Sequence, residues 1–330
     1  MESKGKPDAG ELMAKSDAQP EKPIQERRLI LLTGATGYIG SRLLPLLEQR
    51  DLRVRCLARK PDKLRTQVVE STEIVEGNML DRPSLDTALA GVRTAYYLVH
   101  LMSSSADFEK QDREAAEHFG AAAKEAGVQR IIFMGGLGEE SDPKLSSHLR
   151  SRHEVGKILR DSGVETIEFR ASVVIGKGSL SYNLIRSLTD RLPVMICPRW
   201  LATPTQPIAV KDVLAYLLAA LDLRPGESQV FEIGSSDVTT YGQLIQEYAR
   251  QRGLRRWLIS VPLLTPYLSG LWLALVTPAT YEVGRHLIEG LKNPTVVRDK
   301  TALEVFHICP VDIKEAMRQA LEEAGQTETK

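Results

Sequence analysis

Two short stretches of this 330-residue chain combine residue types and spacings that could do chemistry. The first is TGATGYIG, residues 33–40, where Gly34, Gly37 and Gly40 recur at every third position. It follows the apolar run RLILLT and precedes SRLLPLLEQR, whose leucines recur at helical spacing, so it joins a strand to a helix. In such a loop the first glycine permits a tight turn and the second lets backbone N–H groups approach a pyrophosphate. The third lets the helix pack close to the sheet. Thr33, Thr36, Tyr38 and Ile39 shape the same loop.

The second stretch is HLRSRHEVGK, residues 148–157, which places His153 one helical turn before Lys157. An imidazole with a pKa near about 6.5 can give a proton to a carbonyl oxygen that is being reduced. A lysine one turn away would lower that pKa and hold a ribose hydroxyl. Arg150, Arg152 and Glu154 surround the histidine, and that pattern equally fits a charged, solvated helix face.

These residues need elements to hold them. RLILLT, RVRCLAR, EIVEGN, TAYYLVH, RIIFMGG and ETIEFRASVVIG read as six short, largely apolar strands. Helical segments such as DFEKQDREAAEHFGAAAKEAG alternate with them. The expectation is an α/β fold, a doubly wound parallel sheet of Rossmann type over residues 28–175. Residues 176–330 form a smaller C-terminal α+β lobe partly packed onto the sheet, with helices over VKDVLAYLLAAL and TTYGQLIQEYARQRG and a strand at QVFEIG. Residues 1–27 are polar, charged and Pro-containing and read as a disordered tail.

In this fold a ligand lies beyond the carboxyl ends of the strands. After the second strand the chain reads CLARKPDKL, with Arg59, Lys60 and Lys63 and no acid to meet a ribose 2′-hydroxyl. Arginine suits a 2′-phosphate, which favours NADP(H) over NAD(H); the other reading is a solvated basic loop. Asn78 and Met79 follow the third strand on the adenine side, and Val99 and His100 end the fourth beside the cleft. His100 is a second candidate acid or base.

Composition limits the partners. Lys+Arg and Asp+Glu both number 43, so no net charge draws the chain to nucleic acid. The three cysteines lack metal-ligand spacing, no metal is expected, and a cytoplasmic setting follows from unpaired thiols and a tail without a signal-peptide core. There is no G-x-S-x-G, Walker A or H-E-x-x-H motif. Residues 257–281 carry no charge but are divided by Pro262, Pro266 and Pro278. They read as a buried helix and pocket wall, or else as a face for a partner or the periphery of a membrane.

The glycine spacing, Arg59 and the strand order resemble the short-chain dehydrogenase/reductase superfamily, in particular its atypical NmrA-like branch. The segments LPVMICPRWLATPTQPIAVKDV and LVTPATYEVGRHLIEGLKNPTVV look like those of bacterial YbjT-like NAD(P)-binding proteins, once described as predicted nucleoside-diphosphate-sugar epimerases. The likeness runs over about residues 28–322. It implies a serine or threonine after the fifth strand and then Tyr-x-x-x-Lys. Here Gly135 and Gly136 stand at the first position and His153 and Lys157 at the others. Glycines there would let backbone approach the nicotinamide closely.

Two functions follow. One is an NADPH-dependent reductase of a small apolar carbonyl, enone or quinone-like substrate. The other is a non-catalytic NADPH-binding sensor or assembly subunit with a regulatory protein partner. A nucleotide-sugar epimerase fits less well, because it would need tightly held NAD(H) and the missing tyrosine.

Overall fold

The computed structural model describes residues 28–50, 52–101, 107–260 and 290–328. Strands β1 (Arg28–Thr33), β2 (Leu52–Ala58), β3 (Glu73–Glu76), β4 (Thr94–Tyr97), β5 (Arg130–Gly136) and β6 (Glu165–Ala171) alternate with helices. These are α1 (Gly40–Glu48), α2 (Asp62–Arg65), α3 (Arg82–Leu89), α4 (Phe108–Glu125) and α5 (Ser147–Asp161). All the strands pair in parallel. The expected doubly wound sheet is present, with a seventh strand, Gln229–Ile233, added beside β6.

The order across the sheet reverses between β1 and β4, which opens a crevice at their carboxyl ends. Alternate residues of each strand feed opposite faces. Ile30, Leu32, Tyr96 and Ile132 pack under α1 and the later helix Val210–Ala219, whereas Leu29, Leu31, Tyr97 and Phe133 pack under α3, α4 and α5. Burial on both faces explains why the strands read as apolar runs rather than alternating ones.

Beyond β6 the sequence reading needs correction. ETIEFRASVVIG is not one strand: it breaks at Ser172 and Val173 into β6 and β7 (Val174–Ile175). β7 leaves the main sheet and pairs with β10 (Ile208–Ala209). In between lie α6 (Leu180–Arg191), β8 (Val194–Cys197) and β9 (Pro204–Thr205). The chain then returns to the sheet through α7 (Val210–Ala219) and β11, the seventh strand, and leaves again through β12 (Thr239–Thr240), α8 (Tyr241–Gln251) and β13 (Trp257–Ser260). Two further helices, α9 (Thr301–Phe306) and α10 (Ile313–Glu328), complete the described chain. Helices α6, α8 and α10 share a separate core that includes Tyr182, Leu244, Tyr248 and Met317.

The charge-free stretch begins as a strand rather than a helix: Trp257–Ser260 pairs in parallel with Val194–Cys197. The remainder of that stretch, 261–281, and the tail at 1–27 lie outside the described residues. No described helix is long and apolar enough to cross a membrane.

Candidate functional site

A cleft of about 380 Å³ runs along the carboxyl edge of the sheet. Gly37, Tyr38, Ile39 and Gly40 form one end, Leu98, His100 and Met134–Leu137 its floor, and Ser172, Leu180, Tyr241, Leu291 and Thr295 the far wall. The loop end is dictated by close backbone contact. Gly34 has φ +71°, where a side chain is strained, and a Cβ there would meet Leu98 O at 2.7 Å. A Cβ on Gly40 would meet Gly34 O at 2.1 Å. The turn is closed by Gly37 N–H donating to Gly34 O at 2.8 Å, and α1 starts there, with Ser41 N–H donating to Gly37 O at 2.9 Å.

Thr33 plays a different part from the one expected. It is fully buried, donates to Tyr96 O at 2.8 Å and accepts from Leu98 N–H at 3.2 Å, so it latches β1 to β4 rather than facing the cleft. Tyr38 lies under the Arg42 guanidinium, 4.2 Å from its ring centre, and burial pushes its phenol up to about 12. Thr36 is exposed beside the loop. Arg59, Lys60 and Lys63 are exposed just past the end of β2, the strand paired with β1 through Thr33 and Leu57. Asn78 is exposed and accepts from Leu80 N–H at 3.3 Å, Met79 is buried, and Val99 gives its carbonyl to Arg152 at 3.4 Å.

Helix α5 turns other residues to the cleft than those the spacing singled out. His148 and Arg152, also one turn apart, line it. His153 is 3% exposed, and its Nε2 donates to Gly136 O at 2.9 Å, beneath the end of β5. Lys157 is on the outer surface, paired with Asp161 at 2.5 Å. Five residues separate His148 from His153, a rotation of about 140° around a helix at about 100° per residue, so the two pairs occupy different faces. Burial, with Arg170 nearby, lowers the pKa of His153, which fits a neutral imidazole serving packing.

Gly135 and Gly136 do line the cleft, and they also have a packing reason to be glycine. A Cβ on Gly136 would meet Leu149 Cδ2 at 2.7 Å, and one on Gly135 would meet Glu168 Oε1 at 2.9 Å. Glu168 is wholly buried and pairs with Arg160 and, at 2.7 Å, with Arg170.

The floor carries an ionisable cluster. His100 Nε2 is 3.3 Å from Asp112 Oδ2, and the His100 and His148 rings are 4.8 Å apart. Burial works against the Asp112 charge, but His100, Arg152 and the Leu101 N–H together hold its pKa down at about 2. Burial and Arg152 lower the pKa of His100. Arg152 donates to Met134 O at 2.7 Å and stacks 4.7 Å above the Phe133 ring.

Known proteins share this fold. Residues 34–188 match the NAD(P)H-binding family. The chain is similar there to atypical short-chain dehydrogenase/reductase-like NAD(P)-binding proteins. It is 26% identical over 231 residues to the (4-alkanoyl-5-oxo-2,5-dihydrofuran-3-yl)methyl phosphate reductase of Streptomyces griseus subsp. griseus, a match covering 68% of this chain and 74% of that one. Its fold is that of the Citrobacter sp. triphenylmethane reductase complexed with NADP(H), with a TM-score of 0.71 at 16% identity over 88% of this chain and 99% of that one. It is also that of the NADPH-dependent quinone oxidoreductase from Escherichia coli complexed with NADPH, with a TM-score of 0.69 at 19% identity over 88% and 98%.

In this chain the close-packed glycine cradle fits a dinucleotide pyrophosphate, with Gly37 to Gly40 to hold it. The sequence reading missed His148, Arg152 and Tyr241. A second i, i+4 pair lay in the same ten residues, but nothing in the spacing says which pair faces the strand ends.

Proposed function

We propose that the protein is an NADPH-dependent reductase of a small, largely apolar carbonyl, enone or quinone-like substrate. The observation that carries this is the single continuous cleft, with a dinucleotide cradle at one end and a wall from the second half of the chain at the other. A bound nicotinamide would supply a hydride near the ends of β4 and β5. The chain would orient it with the backbone of Gly135 and Gly136, and Leu98, Leu137, Leu149 and Leu291 would keep water away. Arg152 is held by backbone carbonyls and stays cationic, so it steadies negative charge developing nearby. His100, 3.3 Å from Asp112, is an ionisable group on the floor.

The exposed Arg59, Lys60 and Lys63 beyond β2 support NADPH over NADH. Three free cysteines, two of them buried, support a reducing, cytoplasmic setting. Titration with NADPH and NADH, then NADPH oxidation across a panel of aldehydes, ketones, enones and quinones, tests the reading. Tighter NADPH binding that weakens about tenfold in Arg59→Ala, with turnover of a panel member, is expected. Absence of binding to either dinucleotide overturns it.

One observation favours the sensor or scaffold reading. Val194, Ile196, Trp257 and Ile259 are 49%, 49%, 67% and 51% exposed, and the register pairs them side by side on the β8/β13 ribbon. Such a face suits a protein partner or a membrane surface. NADPH binding without turnover of any panel member, together with association through this face, would favour that reading.

A further inference from the structure

Ser172, Thr205 and Thr295 come together at the far wall from three distant places in the chain. Backbone pairing makes the junction. β9 pairs with β12 through Thr205 and Thr239 and bridges Thr295 on its other side. Asn293 clamps the 290–295 segment by accepting from Ser146 N–H at 3.1 Å and donating to Asp142 Oδ2 and Lys144 O, each at 3.1 Å. The three hydroxyl oxygens are 2.7 Å (Ser172 to Thr205), 2.6 Å (Ser172 to Thr295) and 2.9 Å (Thr205 to Thr295) apart. Tyr241 is the first residue of α8, and its phenol faces the same three hydroxyls.

A closed ring of three hydroxyls uses each of its three protons once, so none of them is donated to the Tyr241 phenol, whose own proton can turn to a ring oxygen or to the cleft. Ser172, Tyr241 and Thr295 all line the cleft. Tyr241 is 7% exposed and stands at the positive end of the eleven-residue α8, a setting that favours an oxyanion beside it. Its ring packs edge-on to Trp200 with centroids 6.4 Å apart, which limits movement of the hydroxyl.

We propose that Tyr241 is the catalytic proton donor of this cleft and that it takes the carbonyl oxygen of an aldehyde or ketone. The proposal rests on the reductase reading above. In the step, NADPH is the reductant: a hydride forms the new C–H bond, the carbonyl π bond breaks, and its electron pair moves onto oxygen. The Tyr241 proton forms the new O–H bond, and the hydroxyls of Ser172, Thr205 and Thr295 relay a replacement proton from solvent. The overall change is NADPH, a proton and a carbonyl giving NADP⁺ and an alcohol. Burial pushes the Tyr241 phenol up to about 12, so it stays protonated at neutral pH. An alkoxide is basic enough to take that proton.

Tyr241→Phe removes one oxygen and keeps the ring packed. Full-chain protein is titrated with 4-nitrophenolate, followed by its absorbance, and separately assayed for NADPH-dependent reduction of an aldehyde or ketone. Tyr241→Phe is expected to bind nitrophenolate at least about tenfold more weakly. It should lose on the order of a hundredfold in kcat for the carbonyl, with unchanged NADPH affinity. The solvent isotope effect on kcat should change in both this variant and Ser172→Ala, which opens the relay and leaves the phenol in place. Equal nitrophenolate binding by wild type and Tyr241→Phe overturns the proposal and leaves the reductase reading standing. Tyr241-dependent nitrophenolate binding in a protein that takes up neither dinucleotide does the reverse: it supports the oxygen subsite and overturns the reductase reading.

Discussion

The loop end of the cleft is assembled from eight consecutive residues, 33–40, whereas the far wall draws Ser172, Thr205, Tyr241 and Thr295 from four separate places in the chain. The loop end works through backbone: glycines are needed where carbonyls come close, and its side chains mostly pack or latch. The far wall works through side-chain oxygens that touch one another. Damage should therefore differ in kind. At the loop end a single carbon atom disturbs fold and binding together, while at the far wall the loss of an oxygen leaves the fold and changes the chemistry.

The largest effect is expected from Gly40→Ala, whose new Cβ would lie 2.1 Å from Gly34 O and 2.8 Å from its carbonyl carbon. Both contacts are backbone and cannot swing aside. Urea denaturation should show a loss of about 3 kcal/mol, and NADPH binding should vanish. If Gly40→Ala bound NADPH normally, the distinction between a backbone-built end and a side-chain-built end would be lost.

Arg152→Met comes next. It keeps the buried stem over Phe133 but leaves Met134 O and Val99 O without their donor. A loss of about 2 kcal/mol in denaturation is expected, with weaker catalysis than stability alone accounts for. The middle of the cleft would then behave as a hybrid of its two ends. A variant as stable as wild type would show that the guanidinium serves the cleft alone.

A smaller effect appears in the pH dependence of stability. His153 is neutral in the fold, with its pKa pulled below the ordinary value by burial and then by Arg170, although Gly136 O and Glu140 oppose this. The unfolded chain takes up a proton as pH falls through about 6.5, and the folded chain resists until lower pH. Stability from this site is therefore full above that pH and declines below it. His153→Gln can still donate to Gly136 O and should flatten the curve between neutral pH and pH of about 5. An unchanged slope would assign the decline to His100, whose pKa burial and Arg152 also lower.

The same contrast explains what could be read from the sequence. Strand, glycine loop and helix are adjacent in the chain, so Gly34, Gly37 and Gly40 announce the cradle without any knowledge of the fold. The parallel sheet was legible because both-face burial leaves unbroken apolar runs. The break at Ser172 was not, because Ala-Ser-Val-Val-Ile is as good a strand as any and only pairing with β10 decides it. The hydroxyl ring was invisible for a stronger reason: threonine and serine are ordinary loop residues until Thr205 has Thr239 on one side and Thr295 on the other. On α5 periodicity defined a helix but not its rotation, and that rotation depends on Gly136 admitting Leu149 and accepting the His153 N–H.

Lys157→Ala should have the smallest effect and sharpens the contrast most directly. The ammonium is on the outer face of α5, paired with Asp161 one turn on, and both side chains are more than half exposed. Solvent and salt screen such a pair, so the change in stability should stay within about 0.5 kcal/mol, with NADPH affinity unaltered. Arg152, five residues earlier and facing the cleft, should differ from it in both measurements. If Lys157→Ala instead weakened NADPH binding tenfold, α5 would have to turn by about 140° to bring that side chain inward. His153 would then leave Gly136 and enter the cleft, and the proton donor would again be sought on α5 rather than at the start of α8.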